Sequence, residues 1–411
     1  MIEAWIIDAK RIPRSVGKVG KGKLAHLHPH RLLATALKGL SDNNSFNTAD
    51  IDDVIAGCSG QRGELGFCIG RMAALDAGWD IEATGISVDR FCGSGLTSVN
   101  LGAMGIMSGM QDLVVGCGVE MMSAHPKFNA PHLPDSNNLH LRKIHPQPHQ
   151  GVCADVIATL EGISREDADA HAVESQRRAA YAIENGHFSK SLVPMLNGDG
   201  TVALAQEDFP RPGTSMEALA GLKTVFNNYM DYPMGKENET TTCRELVATK
   251  YPDLKINHIH HAGNSSGVVD GAGAILLASP EYAKAHGLKP RARVVNMATA
   301  ACDPLIMLNA PGPAARKVVK KAGMELSDID LFEINEAFAS VSLKFMRDLN
   351  LDYDKVNIDG GAMALGHPLG ATGSILLGTL LDALERKDKT TGLVTMCTGG
   401  GMAPALIIER V

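Results

Sequence analysis

Residues 83–122 read ATGISVDRFCGSGLTSVNLGAMGIMSGMQDLVVGCGVEMM. The stretch opens as a strand over 83–91 and turns at Cys92 through Gly93, Ser94 and Gly95. It continues as a helix of small residues over 95–110 and closes as a strand over 112–122. Buried strands joined through a glycine turn and a helix are the signature of a parallel or mixed α/β sheet. The same alternation extends outward. Residues 3–9 and 52–59 are predicted strands with a helix over 30–40 between them. Past the middle of the chain, 273–282 and 291–300 read as strands and 311–323 as a helix. Residues 329–340 read as a strand running into a helix, 366–384 as a helix, and 391–411 as the last two strands.

The middle is different. Residues 123–151, SAHPKFNAPHLPDSNNLHLRKIHPQPHQG, are rich in Pro, Asn and His and hold no period. A strong helix follows over 162–188, with Ser164 and Asp167 placed for a capping box and Glu174 and Arg178 for an i,i+4 pair. Loop-like sequence resumes afterwards. This predicts an inserted region over about 121–249, carried by a first half made of 1–120 and about 250–276. Residues 277–411 form a second half. The halves look alike. A glycine turn and small-residue helix follow both Cys92 and His367, and DLVVGCG and GLVTMCTGG both read as strands ending in a cysteine with glycine one or two residues after it. Such a duplication brings matching element ends to one central site.

Composition narrows the function. Of 411 residues, 45% are hydrophobic and 21% charged, enough for a large core in two or three domains. A net charge of −7 with no long basic run argues against nucleic-acid binding, which rests on Lys/Arg contacts to phosphates. No apolar run is long enough to span a bilayer, and the N-terminus reads as a first strand rather than a signal peptide. Eight cysteines without a C-x-x-C pair point to reduced thiols in a cytoplasm, not to a zinc ribbon. His125, His132, His140, His145 and His149 are irregularly spaced in loop sequence, and His258, His260 and His261 sit in a strand-like stretch without a fourth ligand. Neither set predicts a metal. GKVGKGKL at 17–24 has Leu24 where a phosphate loop needs Ser or Thr, and reads as a mobile basic loop. Ser98 stands where a dinucleotide fingerprint needs its third glycine.

Chemistry concentrates in three glycine-rich settings: Cys92 in the opening stretch, His367 in GGAMALGHPLGATG (360–373), and Cys397 in CTGGGMAPALIIE (397–409). A thiol attacks carbon as thiolate, and a helix N-terminus after Cys92 favours that form. His367 is a candidate base. Cys397, near an ordinary cysteine pKa, is a candidate second acid/base with bare backbone N–H groups beside it. Together they suggest acyl transfer through a thioester. The bland readings are a small buried hydrophobe for each cysteine, a helix cap at Pro368 for His367, and helix caps for Asn335 and Glu336. Cys58, Cys68, Cys117, Cys243 and Cys302 are assigned to the first of these.

FCGSGL (91–96), AGNSSGVVDGAGA (262–274), NEAFA (335–339) and the two stretches around His367 and Cys397 together resemble the thiolase family, in order and over essentially the whole chain. The resemblance implies a five-layered αβαβα fold of two similar halves with an inserted loop domain. It implies an acyl-CoA C-acyltransferase that cleaves a 3-oxoacyl-CoA with coenzyme A, or runs the reverse Claisen condensation, with ping-pong kinetics. On this resemblance Cys92 forms the acyl-enzyme and His367 activates it. Asn335 holds a water beside His367 in one oxyanion hole, and Cys397 moves the α-carbon proton. The N–H groups of Cys92 and Gly399 form a second oxyanion hole, while Ser266, Phe338 and His149 lie along the coenzyme A arm. Coenzyme A is a substrate, no resident cofactor or metal is implied, and the assembly is a homodimer or homotetramer. In HQGVCADVI (149–157), Gln150, Cys153 and Asp155 replace the Met, Thr and Glu usual in the family. This favours a degradative enzyme for longer or bulkier chains over a biosynthetic acetoacetyl-CoA thiolase. A ketosynthase-type condensing enzyme would carry a second histidine where Asn335 stands. A non-catalytic acyl-CoA-binding relative would lack one of the reactive residues.

Overall fold

The computed structural model describes residues 2–124, 133–235 and 239–411. The strands that build its main sheet are β1 (Trp5–Arg11), β2 (Asp53–Gly57), β3 (Gly85–Val88), β4 (Leu113–Met121), β5 (Val269–Ala278), β6 (Ala292–Ala301), β7 (Leu331–Ile334), β8 (Thr391–Thr395) and β9 (Met402–Arg410). Their order is β7-β8-β9-β6-β1-β5-β4-β2-β3, with the short Ser15–Val16 strand pairing on β5. The helices that matter for the site are α1 (Pro29–Asn43), α2 (Ile69–Asp76), α3 (Ser94–Met107), α4 (Gln150–Leu160), α5 (Arg165–Glu184), α6 (Pro311–Ala322), α7 (Ala339–Leu349) and α8 (Thr372–Arg386).

The duplication expected from sequence is a topological identity. In the first half β2 runs parallel to both β3 and β4, β4 pairs antiparallel with β5, and β5 with β1. In the second half β7 runs parallel to β8, β8 pairs antiparallel with β9, and β9 with β6. The counterpart of β3 has shrunk to one parallel bridge between Phe332 and Val356. The half-sheets meet where β1 and β6 share only two residue pairs, Trp5 with Arg293 and Ile6 with Ala292. β5 runs through position 276, across the boundary drawn from sequence. One detail of the duplication differs: Cys117 lies inside β4, its thiol donating to Ile55 O at 3.4 Å, whereas Cys397 lies beyond the end of β8.

Three apolar layers account for the stacking. Leu32, Leu33, Leu37 and Leu40 of α1, with Ile69 and Ala73 of α2, close one face of the first half-sheet. Leu96, Val99, Ala103 and Ile106 of α3 and Leu376, Leu377, Leu380 and Leu381 of α8 fill the space between the half-sheets. Ala314, Ala315, Val318 and Val319 of α6 and Phe345, Met346 and Leu349 of α7 cover the far face. Hydrophobic burial of this kind is worth about 25 cal/mol per Å² and decides which face each helix presents. The central helices are buried on nearly all sides, so they read as apolar throughout, while α6 keeps a polar face for solvent.

Local signals set several boundaries as expected. Ser164 and Asp167 form a reciprocal capping box at the start of α5, and Glu174 pairs with Arg178 at 2.6 Å. Pro311 opens α6 and Gly323, at φ 69°, closes it. The middle region has more helix than its composition suggested, with a short helix over Leu139–Ile144 and then α4. The loop over 17–24 is tied to the body, Gly17 N–H donating to Val268 O and Lys23 pairing with Asp208. Ser98 uses its hydroxyl inside the fold, on the carbonyls of Gly95 and Cys117. No helix among the described residues is long and apolar enough to cross a membrane.

Candidate active site

The first turns of α3 and α8 cross in the central layer without intervening side chains. A Cβ on Gly95 would lie 2.6 Å from Gly370 O, and one on Gly373 only 2.1 Å from Leu96 N. Glycine is required at both positions by this approach. The crossing places Cys92, just ahead of α3, and His367, just ahead of the Leu369–Ala371 turn into α8, at the same end of the layer.

Cys92 follows Phe91, which holds a positive φ of 49°. That backbone region is uncommon outside glycine and marks a constrained turn at the candidate nucleophile. The Phe91 ring lies against the Gly399 backbone, 2.9 Å from where a Cβ would stand, and a Cβ on Gly93 would meet Thr398 Cγ2 at 2.5 Å. The loops of Cys92 and Cys397 are thus in contact. Cys92 is partly exposed and Cys397 buried.

The thiolate expectation fails in the resting molecule. Burial pushes the Cys92 thiol well above its ordinary value, and the neighbouring Cys397 and Glu120 push the same way. The N–H groups of Gly93 and Ser94 are already spent on Arg90 O and Phe91 O, so the start of α3 offers Cys92 little. Cys397 is not near an ordinary cysteine pKa either; burial raises it to about 12. His367, 4% exposed, is lowered to about 3 by loss of solvent. All three groups rest uncharged.

His367 is held on three sides. Its backbone N–H donates to Gly267 O at 2.8 Å, and its Nδ1 lies 2.5 Å from the Thr372 hydroxyl. The Asn335 amide Nδ2 stands 3.3 Å from Nε2. An amide NH₂ can only donate, so Nε2 carries the lone pair and Nδ1 the proton shared with Thr372. The imidazole is set to accept a proton at Nε2. Asn335 is fully buried and its Oδ1 has no partner among the described residues.

The helix-cap alternative for Asn335 and Glu336 does not hold, because α7 starts at Ala339 with Phe338 at its N-cap position. Glu336 instead accepts from Ser175 and Asn357 inside the fold. Nor does His367 cap a helix at Pro368, since α8 begins at Thr372. Ser266 donates its N–H to Ala337 O, and Ser265 bridges to Phe338, so the 262–274 stretch and NEAFA run side by side. Phe338 packs with Cys397 in one apolar cluster that includes Met307 and Cys153. Phe226 stands edge-on to Phe338 and stacks towards Tyr229, and His149 stacks on Tyr229 at 4.5 Å. His149 therefore joins the others through an aromatic row rather than by direct contact.

The structure also corrects the minor assignments. Cys68 is exposed and Cys302 half-buried, so neither is a plain core residue; the buried assignment holds for Cys58, Cys117 and Cys243. The stretch of His258, His260 and His261 is not a strand, and its histidines face carboxylates. Asp155 takes the Nδ1 of His258 at 2.6 Å and of His260 at 2.7 Å, and Asp169 takes Nε2 of His261 at 2.8 Å. His125 and His132 lie outside the described residues. Sequence reading passed over Thr372 and Glu120, and met Asp155 only as a departure from the family's usual segment. Thr372 stands five residues beyond His367, within the same glycine-rich stretch; Asp155 and Glu120 find their partners only in the fold.

Comparison with known proteins agrees with this geometry. The sequence matches the thiolase N-terminal domain over residues 4–229 and the thiolase C-terminal domain over 288–410. It is 38% identical to the steroid 3-ketoacyl-CoA thiolase FadA6 of Mycobacterium tuberculosis, covering 100% of this chain and 95% of that protein. It is likewise 38% identical to a 3-ketoacyl-CoA thiolase of Marinomonas sp., covering 99% and 98%. Human mitochondrial 3-ketoacyl-CoA thiolase superposes with a TM-score of 0.83 at 32% identity, covering 100% of this chain and 99% of that one. The Bacillus anthracis acetyl-CoA acetyltransferase gives 0.84 at 31%, with the same coverage. With both domains matched in order, the layers stacked alike and the cysteine and histidine turns brought together, this chain belongs to the thiolase family.

Proposed function

We propose that the chain is a degradative thiolase, cleaving a 3-oxoacyl-CoA with coenzyme A into a shortened acyl-CoA and acetyl-CoA. The observation that carries this reading is the Cys92 turn packed against both the Cys397 loop and the turn that follows His367, with Asn335 beside His367.

The neutral resting state suits the reaction. The Cys92 proton passes to Nε2 of His367 as the sulfur bonds to the β-carbonyl carbon, so charge appears only where donors await it. The N–H groups of Cys92 and Gly399 hold the resulting oxyanion. Collapse breaks the bond between the α- and β-carbons. It leaves an acyl-thioester on Cys92 and an acetyl-CoA enolate, which the protonated His367 and a water on Asn335 Oδ1 stabilise. The Cys397 S–H delivers its proton to the enolate carbon. Incoming coenzyme A gives its thiol proton to the Cys397 thiolate and attacks the thioester. The released Cys92 sulfur recovers its proton from His367. Ser266, Phe338 and His149 line the approach of the pantetheine arm. No step calls for a resident cofactor or a metal.

Coenzyme A and acyl-CoA are the partners of this reading, and the cytoplasm is its setting, supported by eight free thiols. A homo-oligomer follows from the edge of the first half-sheet. Strand β3 is an open edge carrying Ile86 at 42% exposure, with Phe67 beside it at 89%. Natural proteins do not leave such an edge bare, and a second copy of the chain pairing there would cover it. Longer or bulkier acyl chains fit the departures at Gln150 and Cys153. The test is thiolysis of 3-oxoacyl-CoAs of increasing length, with mass spectrometry of the protein after one turnover without coenzyme A. Wild type should carry one acyl group on Cys92, and Cys92→Ala should lose both the adduct and at least a thousandfold in rate. Turnover retained by that variant would defeat the reading.

A further inference from the structure

Cys92 belongs to one half of the chain and His367 to the other, so the distance between nucleophile and base depends on how the halves are joined near them. Glu120, at the end of β4 and fully buried, lies at that joint. Its Oε1 accepts the N–H of Gly60 at 2.9 Å. Its Oε2 accepts the N–H of Ser59 at 3.0 Å and that of Gly370 at 2.9 Å, and Cys58 Sγ stands 3.9 Å from Oε1. Ser59 and Gly60 follow β2 in the first half. Gly370 sits in the turn that leads from His367 to Thr372 in the second. The fit there is tight: a Cβ on Gly370 would stand 2.7 Å from Cys58 Cα and 3.0 Å from the Glu120 carboxylate.

A buried carboxylate is costly unless its oxygens are fully bonded, and here backbone N–H groups do that work without an arginine or lysine. A glutamine has one accepting oxygen and would turn an NH₂ group against a peptide N–H. We infer that Glu120 is a positioning residue for the reaction, a carboxylate clamp that holds the His367 turn of the second half against the Cys92-bearing first half. The inference rests on the thiolase reading for its kinetic consequence and on geometry alone for the clamp.

The clamp is sensitive to protonation. Burial raises the Glu120 carboxyl to about 7, against the pull of the Gly370, Ser59 and Gly60 amides. The titratable groups around it are Cys58, Cys92 and Asp89, and the first two are raised far above neutrality by burial. A proton on Glu120 converts an acceptor into a donor facing peptide N–H groups. The clamp is therefore closed above about pH 7 and released as pH falls below it.

The experiment is Glu120→Gln in the full chain, read by hydrogen exchange of the free protein and by steady-state thiolysis. Exchange across 59–60 and 366–376 should quicken about tenfold while α1 stays as in wild type. The kcat, normalised to alkylatable Cys92, should fall at least tenfold with KM for coenzyme A within twofold. The wild-type kcat should decline below pH 7, and the variant should be low and flat from pH 6 to 8. Unchanged exchange overturns the clamp whatever reaction the protein catalyses. Faster exchange with kcat within twofold of wild type overturns the positioning role. Should the variant not fold, the wild type decides: a flat kcat between pH 6 and 8, with no quickening of exchange at 366–376 on acidification beyond the intrinsic rate, overturns it. The thiolase reading fails separately, when wild type forms no acyl-Cys92.

Discussion

At the scale of single residues, the site depends on what burial does to titratable groups. His367 is lowered to about 3 in the fold and returns to an ordinary histidine value of about 6.5 when the chain unfolds. Between those values the unfolded chain binds the extra proton, so folding stability rises with pH in that window. The contribution is complete above about pH 6.5 and drains away as pH falls towards 3, at up to about 1.4 kcal/mol per unit. His367→Gln should accordingly lose less thermal stability than wild type between pH 7 and 4.5, measured by calorimetry; an equal loss would remove His367 as the source. Gly151 offers a second test. A Cβ there would stand 2.1 Å from the Phe226 ring, which separates His149 from Phe338 in the aromatic row. Gly151→Ala should raise KM for coenzyme A severalfold and leave kcat within threefold. Much of this site was readable in sequence, because Cys92, His367 and Cys397 each sit among glycines and small residues whose spacing is unusual, while Asn335 was placed by the resemblance of NEAFA to the family. Their protonation was not readable. A helix N-terminus can be seen in a string of letters, but the segments that crowd Cys92 come from both halves, and the desolvation they cause outweighs the helix start. Asp155 and His260, 105 residues apart, are legible only once folded.

Among elements, the crossing of α3 and α8 is the contact on which the site turns. Gly373→Ala would drive a methyl against the backbone of Leu96, and overpacking of a fixed core costs about 1–3 kcal/mol. The variant should melt several degrees lower and lose activity disproportionately, since the same shift moves His367 relative to Cys92. A melt and a rate both equal to wild type would mean the helices can part without consequence. Sequence periodicity placed α3 to within three residues at each end, but began α8 six residues early, because the chain after His367 first makes the Leu369–Ala371 turn. It overstated the strand before Cys92, which pairs only over Gly85–Val88. Beyond Val88 the chain must leave the sheet to make the turn at Phe91, and propensity carries no record of that departure. The second-half counterpart of this strand, the lone bridge at Val356, had no sequence signal, because one residue has no period.

For the whole molecule, the proposed homo-oligomer turns on the open edge at β3. Ile86→Lys puts a charge in the middle of the edge proposed to pair with a second copy. Light scattering should report a mass of at least twice the chain for wild type and of one chain for the variant; a wild-type monomer would sink the proposal. The duplicated topology was legible in the paired glycine turns, but the joint between half-sheets was not. Trp5 and Ile6 make it, at the opposite end of the first half from Cys92 in sequence.

The uncharged state of Cys92 reaches beyond catalysis. Oxidants and stray electrophiles select cysteines by their anionic character, so a sulfur that keeps its hydrogen until the right thioester enters is a poor target for them. The protein can idle in a reactive milieu with its warhead sheathed, and the shielding comes from the same dryness that keeps the imidazole neutral at rest.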